Sequence, residues 1–180
     1  MLAIFKREFK SYFQNVIGWL FVAALLAVYG LYFYVYNLKN GYPYISYDLK
    51  GIGFIMMIAV PILTMRSLSD EKKTKTDQLM LTSPVSVGRI VAGKYFAMAA
   101  VYTIDIAIFA LSPLVLSIYG KVALSEAYVA LFGYWLYGLS CIAVGLFISS
   151  ISESVIISAI LTFAALFLSY MMQSITGLIS

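Results

Sequence analysis

The stretch Val16-Ile-Gly-Trp-Leu20-Phe-Val-Ala-Ala-Leu25-Leu-Ala-Val-Tyr-Gly30-Leu-Tyr-Phe-Tyr-Val-Tyr36 carries no charged residue. Wound as a helix at 1.5 Å per residue it would extend about 31 Å, close to the roughly 30 Å of a bilayer's hydrocarbon core. Lys6, Arg7 and Lys10 precede it, as in a secretory signal. The run is too long for a signal's apolar region, however, and no small-residue cleavage pattern follows it. It reads as a membrane span.

Four further runs repeat the pattern: 51–69, which contains Pro61; 95–118, which contains Asp105 and Pro113; the glycine-rich 127–149; and 155–172. The whole composition agrees. Of 180 residues, 63% are hydrophobic and 11% charged, against about a quarter charged in a soluble domain. A globule of this size could not bury so much apolar surface, because it still exposes about a third of what its unfolded chain exposes. The expected fold is all-α and integral to the membrane, a bundle of five predicted transmembrane helices. Residues 1–15 form a different kind of helix ahead of it. Phe5, Phe9, Tyr12 and Phe13 recur at helical spacing with Lys6, Arg7 and Lys10 between them, the pattern of an amphipathic helix lying in the membrane interface.

Charge distribution orients the bundle. Lys6, Arg7, Lys10, Arg66, Lys72, Lys73, Lys75, Arg89 and Lys94 would lie on one side, and Lys39, Lys50 and Lys121 on the other. Nine against three places the N-terminus and the 70–94 loop in the cytoplasm. The tyrosines at 29, 32, 34, 36, 42, 44 and 47 then gather near the outer interface, where amphipathic rings favour the headgroup level. The net charge of +4 is a topology signal rather than a nucleic-acid face, since the basic residues lie between apolar runs. The single cysteine, Cys141, sits within a span and makes no disulfide framework.

The 70–94 loop carries the most specific sequence. Thr76 is placed to cap a short helix, Asp77 and Gln78 occupy its first turn, Leu79, Met80 and Leu81 follow, and Thr82-Ser83-Pro84 ends it. A short helix with apolar residues on such a loop either rests on lipid headgroups or enters a groove on a soluble partner. Pro61-Ile-Leu-Thr-Met-Arg66, Asp70-Glu71-Lys72-Lys73 and the 76–84 run together resemble the ABC-2 type permease family. Phe5-Lys6-Arg7-Glu8-Phe9-Lys10-Ser11-Tyr12-Phe13 and Ile17-Gly18-Trp19 are similar to its branch associated with gliding motility and copper-site maturation. Lys75 stands where the family usually has glycine, and Gln78 where it usually has glutamate.

The resemblance implies a single transmembrane permease domain over 1–180, in the plasma (inner) membrane of a bacterium. A coupling helix at Thr76, Asp77, Gln78, Leu79, Met80, Leu81, Thr82, Ser83 and Pro84 would sit in a cleft of a separate ABC ATPase subunit. That subunit would hold ATP and magnesium, and this chain would bind no cofactor and no metal. A second permease half, identical or not, is implied, and export is the usual direction. A sixth span, general in the family, is absent from the given residues and is expected beyond them.

Other motifs weaken on inspection. Gly88-Arg-Ile-Val-Ala-Gly93-Lys94-Tyr95 approaches a phosphate-binding loop but lacks the Ser or Thr after its lysine, and it opens a membrane helix. It reads as small residues and a snorkelling lysine at an interface, so another chain must hydrolyse ATP. Asp105 lies near mid-membrane, where a carboxylate costs roughly 2.5–3.5 kcal/mol. No base on another span can pair with it, which favours hydrogen bonding to Thr103 or a tyrosine over a proton relay. Cys141, Gly145 and Ser149, four apart, suit close helix packing within the chain.

An intramembrane enzyme is excluded. The chain has no histidine to serve as a base, the predicted spans hold only one acid, Asp105, and no metal-ligand cluster occurs. A non-transporting membrane module that anchors a complex or passes on a conformational change would use the same loop and stays open beside the permease.

Overall fold

The computed structural model describes residues 2–73, 86–119 and 122–179. Helix α1 (Leu2–Gln14) precedes α2 (Val16–Tyr32), which widens into a π-helical stretch (Phe33–Lys39). Then come α3 (Ser46–Thr64), the short α4 (Ser69–Lys73), α5 (Val87–Phe109), α6 (Ser112–Tyr119), α7 (Leu124–Ile151) and α8 (Val155–Ile179). No strand occurs among the described residues. Five helical segments are long and apolar enough to cross a membrane: Val16–Lys39, Ser46–Lys72, Val87–Ile118, Leu124–Ile151 and Val155–Met172. The second begins five residues before the 51–69 run, and its first turn brings Asp48 into the bundle. Asp48 thus joins Asp105 as a fully buried acid within the spans, and the expectation of a single span acid is corrected. Asp48 escaped because polar residues at the head of a buried helix depress local hydropathy.

Helix α3 is the axis of the fold. It packs against α2, α7 and α8, and 50% of its apolar window is buried, against 17% for the last span. Ile52, Met56, Met57, Val60 and Leu63 form its fully buried face. Around it, α5 joins α2 and α7, with the rings of Tyr29 and Phe109 stacked at 4.0 Å. The outward faces of α7 and α8 keep Val129, Phe132, Phe147, Ile156, Ile160 and Leu168 exposed. Such exposure carries no penalty where hydrocarbon is the solvent.

Close helix approach is set by small residues. A Cβ on Gly145 would stand 2.5 Å from Thr64 Oγ1, and one on Gly138 would overlap the Tyr102 ring. The Tyr102 hydroxyl crosses from α5 to donate to the Tyr134 carbonyl of α7 at 2.8 Å. The Cys141, Gly145 and Ser149 stripe thus faces inward. Cys141 and Ser149 are buried, and the Ser149 hydroxyl accepts the Leu68 and Ser69 amides at 3.2 Å each.

The breaks in the helices are repaired locally. Pro113 cannot donate to the Phe109 carbonyl four residues back, and Ser112 Oγ takes that carbonyl instead at 2.7 Å. Asn15, extended at φ −93° and ψ 156°, separates α1 from α2. A Cβ on Gly18 would lie 2.5 Å from the Tyr12 carbonyl oxygen, so only glycine lets α2 fold back this tightly. Trp19 Nε1 donates to the Phe13 carbonyl at 2.9 Å, satisfying one of the acceptors that α1's end leaves open.

Gly138→Val is expected to destabilise the chain by about 1–3 kcal/mol through overpacking against Tyr102. Gly88→Val, at an exposed site with nothing within 4 Å of a new Cβ, serves as the neutral control. Thermal unfolding of both variants in detergent checks this, and equal midpoints would remove Gly138 from the α5–α7 contact.

Candidate functional site

Helix α1 is built to sit on other helices. Phe5, Phe9 and Phe13 stack along one side at 5.8 and 5.1 Å, while Lys6, Arg7 and Lys10 point outward. Glu8 shares the aromatic side, being three residues from Phe5 and four from Tyr12. Helix α1 packs on α5, where the absence of a Cβ at Gly93 admits Ile4. Glu8 is thereby carried to the start of α5.

There it meets Lys94. Two turns into α5, Lys94 is only 2% exposed. Its Nζ lies 2.6 Å from Glu71 Oε1 and 3.6 Å from Glu8 Oε1, and it donates to the Ser67 carbonyl at 2.8 Å. Of the ammonium's three protons, two are placed on Glu71 and the Ser67 carbonyl, while Glu8 adds a second, longer charge contact. Arg7 pairs with Glu8 at 2.8 Å, so the chain Arg7–Glu8–Lys94–Glu71 balances two cations with two carboxylates. The Tyr12 hydroxyl donates to the Leu63 carbonyl at 3.4 Å. Burial, with Glu8 adding to it, pushes the Tyr12 phenol well above its ordinary pKa and keeps it a donor.

These groups line a polar cleft of about 550 Å³ that also takes in Arg66 and Asp70. Its position matters more than its size. Helix α4, which holds Glu71, leads into the 74–85 segment, and α5, which holds Lys94, follows it. The ion pair ties the two roots of that segment together. Glu8 joins them to α1, the Ser67 carbonyl joins them to the end of α3, and Ser149 joins α4 to α7. The snorkelling expected of Lys94 is replaced by full burial, because acids from two distant parts of the chain converge on it.

The coupling residues read from the sequence, Thr76, Asp77, Gln78, Leu79, Met80, Leu81, Thr82, Ser83 and Pro84, lie outside the described residues. The helix predicted around Phe5, Lys6, Arg7, Phe9, Lys10, Tyr12 and Phe13 is α1, and its aromatic side packs on the bundle, with Phe9, Tyr12 and Phe13 against the core. Asp105 is fully buried in α5. Its expected bond to Thr103 is absent: the Thr103 hydroxyl donates to the Ala99 carbonyl and accepts from Trp135 Nε1. Neither Asp105 carboxyl oxygen has a hydrogen-bond partner among the described residues. Asp48 instead accepts from the Asn37 amide, which the π-helical stretch turns inward. Among the described residues no cluster of three or more His, Cys, Asp or Glu could hold a metal. The cleft is equipped to hold elements together.

A family model described as "ABC-2 family transporter protein" matches residues 32–180. Comparison with curated proteins and with solved structures returns no match.

Lys94→Met removes the buried cation that Glu71 and Glu8 share. Both carboxylates keep some solvent exposure, so the expected loss is about 1–3 kcal/mol, below the 3–5 kcal/mol of a fully buried broken pair. Combining it with Glu71→Gln in a double-mutant cycle should return a coupling of about 0.5–3 kcal/mol. Additive losses would show that the pair contributes nothing as a pair.

Proposed function

The chain belongs to the ABC-2 family of transporter proteins, as the multi-pass membrane permease component, and from that premise we propose how it is driven. A separate ABC ATPase subunit binds ATP and magnesium on the cytoplasmic side. Residues 76–84 form the coupling helix that enters a cleft on it. The whole of 1–180 acts as one permease domain, the N-terminus and the 70–94 loop face the cytoplasm of a bacterium, and a second permease half completes the pathway. Transport runs outward.

The observation that carries this reading is the Lys94 junction. A pull on the 74–85 segment is borne by α4 and α5 together, because Glu71 and Lys94 hold its two roots 2.6 Å apart at their charged ends. Through Glu8 and the Ser67 carbonyl the same pull reaches α1 and α3. ATP can favour one arrangement of the spans only as far as it binds that arrangement more tightly. A stiff link from the loop to the bundle's axis is what converts such a difference into motion of the spans. The excess of nine basic residues over three supports the orientation.

Replacing Leu79 and Leu81 together by aspartate is expected to abolish co-purification with the ATPase subunit while membrane insertion continues. Retained co-purification would remove the docking role. With Cys141→Ser as background, Lys75→Cys should react with a membrane-impermeant maleimide only after the cytoplasmic face is opened, and labelling of intact cells would reverse the orientation.

A further inference from the structure

Helix α1 presents a different surface on each side. Ile4, Glu8 and Tyr12, four apart, share the side that meets Gly93, Lys94 and the Leu63 carbonyl. Phe9 and Phe13 follow around the helix, and Trp19 lies edge-on to the Phe13 ring at 5.4 Å while staying 60% exposed. Beyond them come Lys6 and Lys10, again four apart and both exposed. The exposed Ala3, Arg7 and Gln14 complete the circuit. Lys6 and Lys10 therefore stand on the border between an apolar stripe and a polar one.

The corner between α1 and α2 fixes the depth of that border. Only Asn15 separates the two helices, and Gly18 lets α2 start in close contact with the Tyr12 carbonyl. Trp19 Nε1, bonded to the Phe13 carbonyl, closes the same corner. An exposed indole in the first turn of a span belongs at the headgroup level, and α1 is tied to it there. A lysine at that level lays its stem over hydrocarbon and holds its ammonium among the headgroups.

Charge then selects the partner. Helix α1 has three basic residues and one acid, Glu8. Glu8 pairs with Arg7 and lies 3.6 Å from Lys94, so it is spent on those two. Lys6 and Lys10 have no carboxylate partner among the described residues. An acidic protein surface would answer the two lysines but would leave Phe9, Phe13 and Trp19 beside them uncovered. A phosphate carried on acyl chains answers both.

We propose that Lys6 and Lys10 bind the phosphate groups of anionic phospholipids, so that this side of α1 selects phosphatidylglycerol-type lipid over zwitterionic lipid. The lipid contact and the Glu8–Lys94 contact then lie on opposite sides of one helix. The selection goes beyond the permease reading and requires neither ATP nor the ATPase subunit.

The test uses the protein's own fluorescence. The chain has two tryptophans, so Trp135→Phe leaves Trp19 as the single emitter, at the α1–α2 corner. The full chain with this change is reconstituted in phosphatidylcholine containing rising fractions of acyl-brominated phosphatidylglycerol or, in parallel, acyl-brominated phosphatidylcholine. A basic side chain near an anionic surface gains about fivefold in association, so phosphatidylglycerol is expected to quench Trp19 with about a fivefold advantage at low salt. That advantage should vanish near 1 M salt, where the screening length falls to about 3 Å. Lys6→Gln with Lys10→Gln should abolish it, and Lys6→Arg with Lys10→Arg should keep it. Equal quenching by the two lipids in the parent would overturn the proposal, as would a preference that survives in the glutamine pair. Equal quenching together with loss of ATPase co-purification in the glutamine pair would overturn it in favour of an acidic protein surface. Should Trp135→Phe lower the unfolding midpoint, native mass spectrometry of the phosphatidylglycerol retained by the parent and by the glutamine pair makes the same comparison without it. The docking role of Leu79 and Leu81 is read separately, so the two readings fail independently.

Discussion

A peptide group inside hydrocarbon finds no water, and each amide or carbonyl left unpaired there costs several kcal/mol. The irregular points of this bundle answer to that constraint. Where Pro113 interrupts the third span, Ser112 Oγ takes the Phe109 carbonyl and its hydroxyl also meets that of Tyr29 on α2. Where α2 widens, the Asn40 amide reaches the Val35 carbonyl, five residues back. Where α3 gives way to α4, Ser149 supplies an acceptor from α7. At Pro113 and at the start of α4 the replacement also ties two helices together, through Tyr29 and Ser149.

The same rule, applied to a whole charge, explains the Lys94 junction. A buried ammonium persists only when its protons are placed and its charge is answered. Glu71 and the Ser67 carbonyl take its protons, and Glu71 and Glu8 answer its charge. Satisfying one lysine thus fastens α1, α3, α4 and α5 at a single point, beside the segment through which this family of transporters is proposed to be driven.

Helix α3 gives the junction its reach. Its far end brings Asp48 to the Asn37 amide, and its near end leads to the Ser67 carbonyl that holds Lys94. Between them its fully buried face contacts three other spans. Interiors packed in this way shift between discrete arrangements rather than deforming smoothly.

The spans were legible in the sequence because the bilayer reads local properties. Twenty or so apolar residues, helical spacing in α1 and the tally of basic residues are all visible within short windows. That is why five membrane helices and the helix ahead of them could be stated from residues 1–180 alone. The inward face of Cys141, Gly145 and Ser149 was legible for the same reason, since three positions four apart share one side of a helix. The boundary at Ser46 was not, because a helix that opens on Ser, Tyr and Asp looks like a loop until something covers it. Glu8 did leave a trace, as an acid on the aromatic side of α1, but nothing in the sequence named its partner. Only the tertiary structure decided that Lys94 is buried rather than snorkelling, that Glu71 and Glu8 share it, and that Gly138 is filled by the Tyr102 ring. Those outcomes depend on which helices become neighbours. Glu71 and Lys94 are 23 residues apart, and Leu68 and Ser149 are 81 apart. Hydropathy is a property of each segment and its solvent, whereas pairing is a property of two segments brought together.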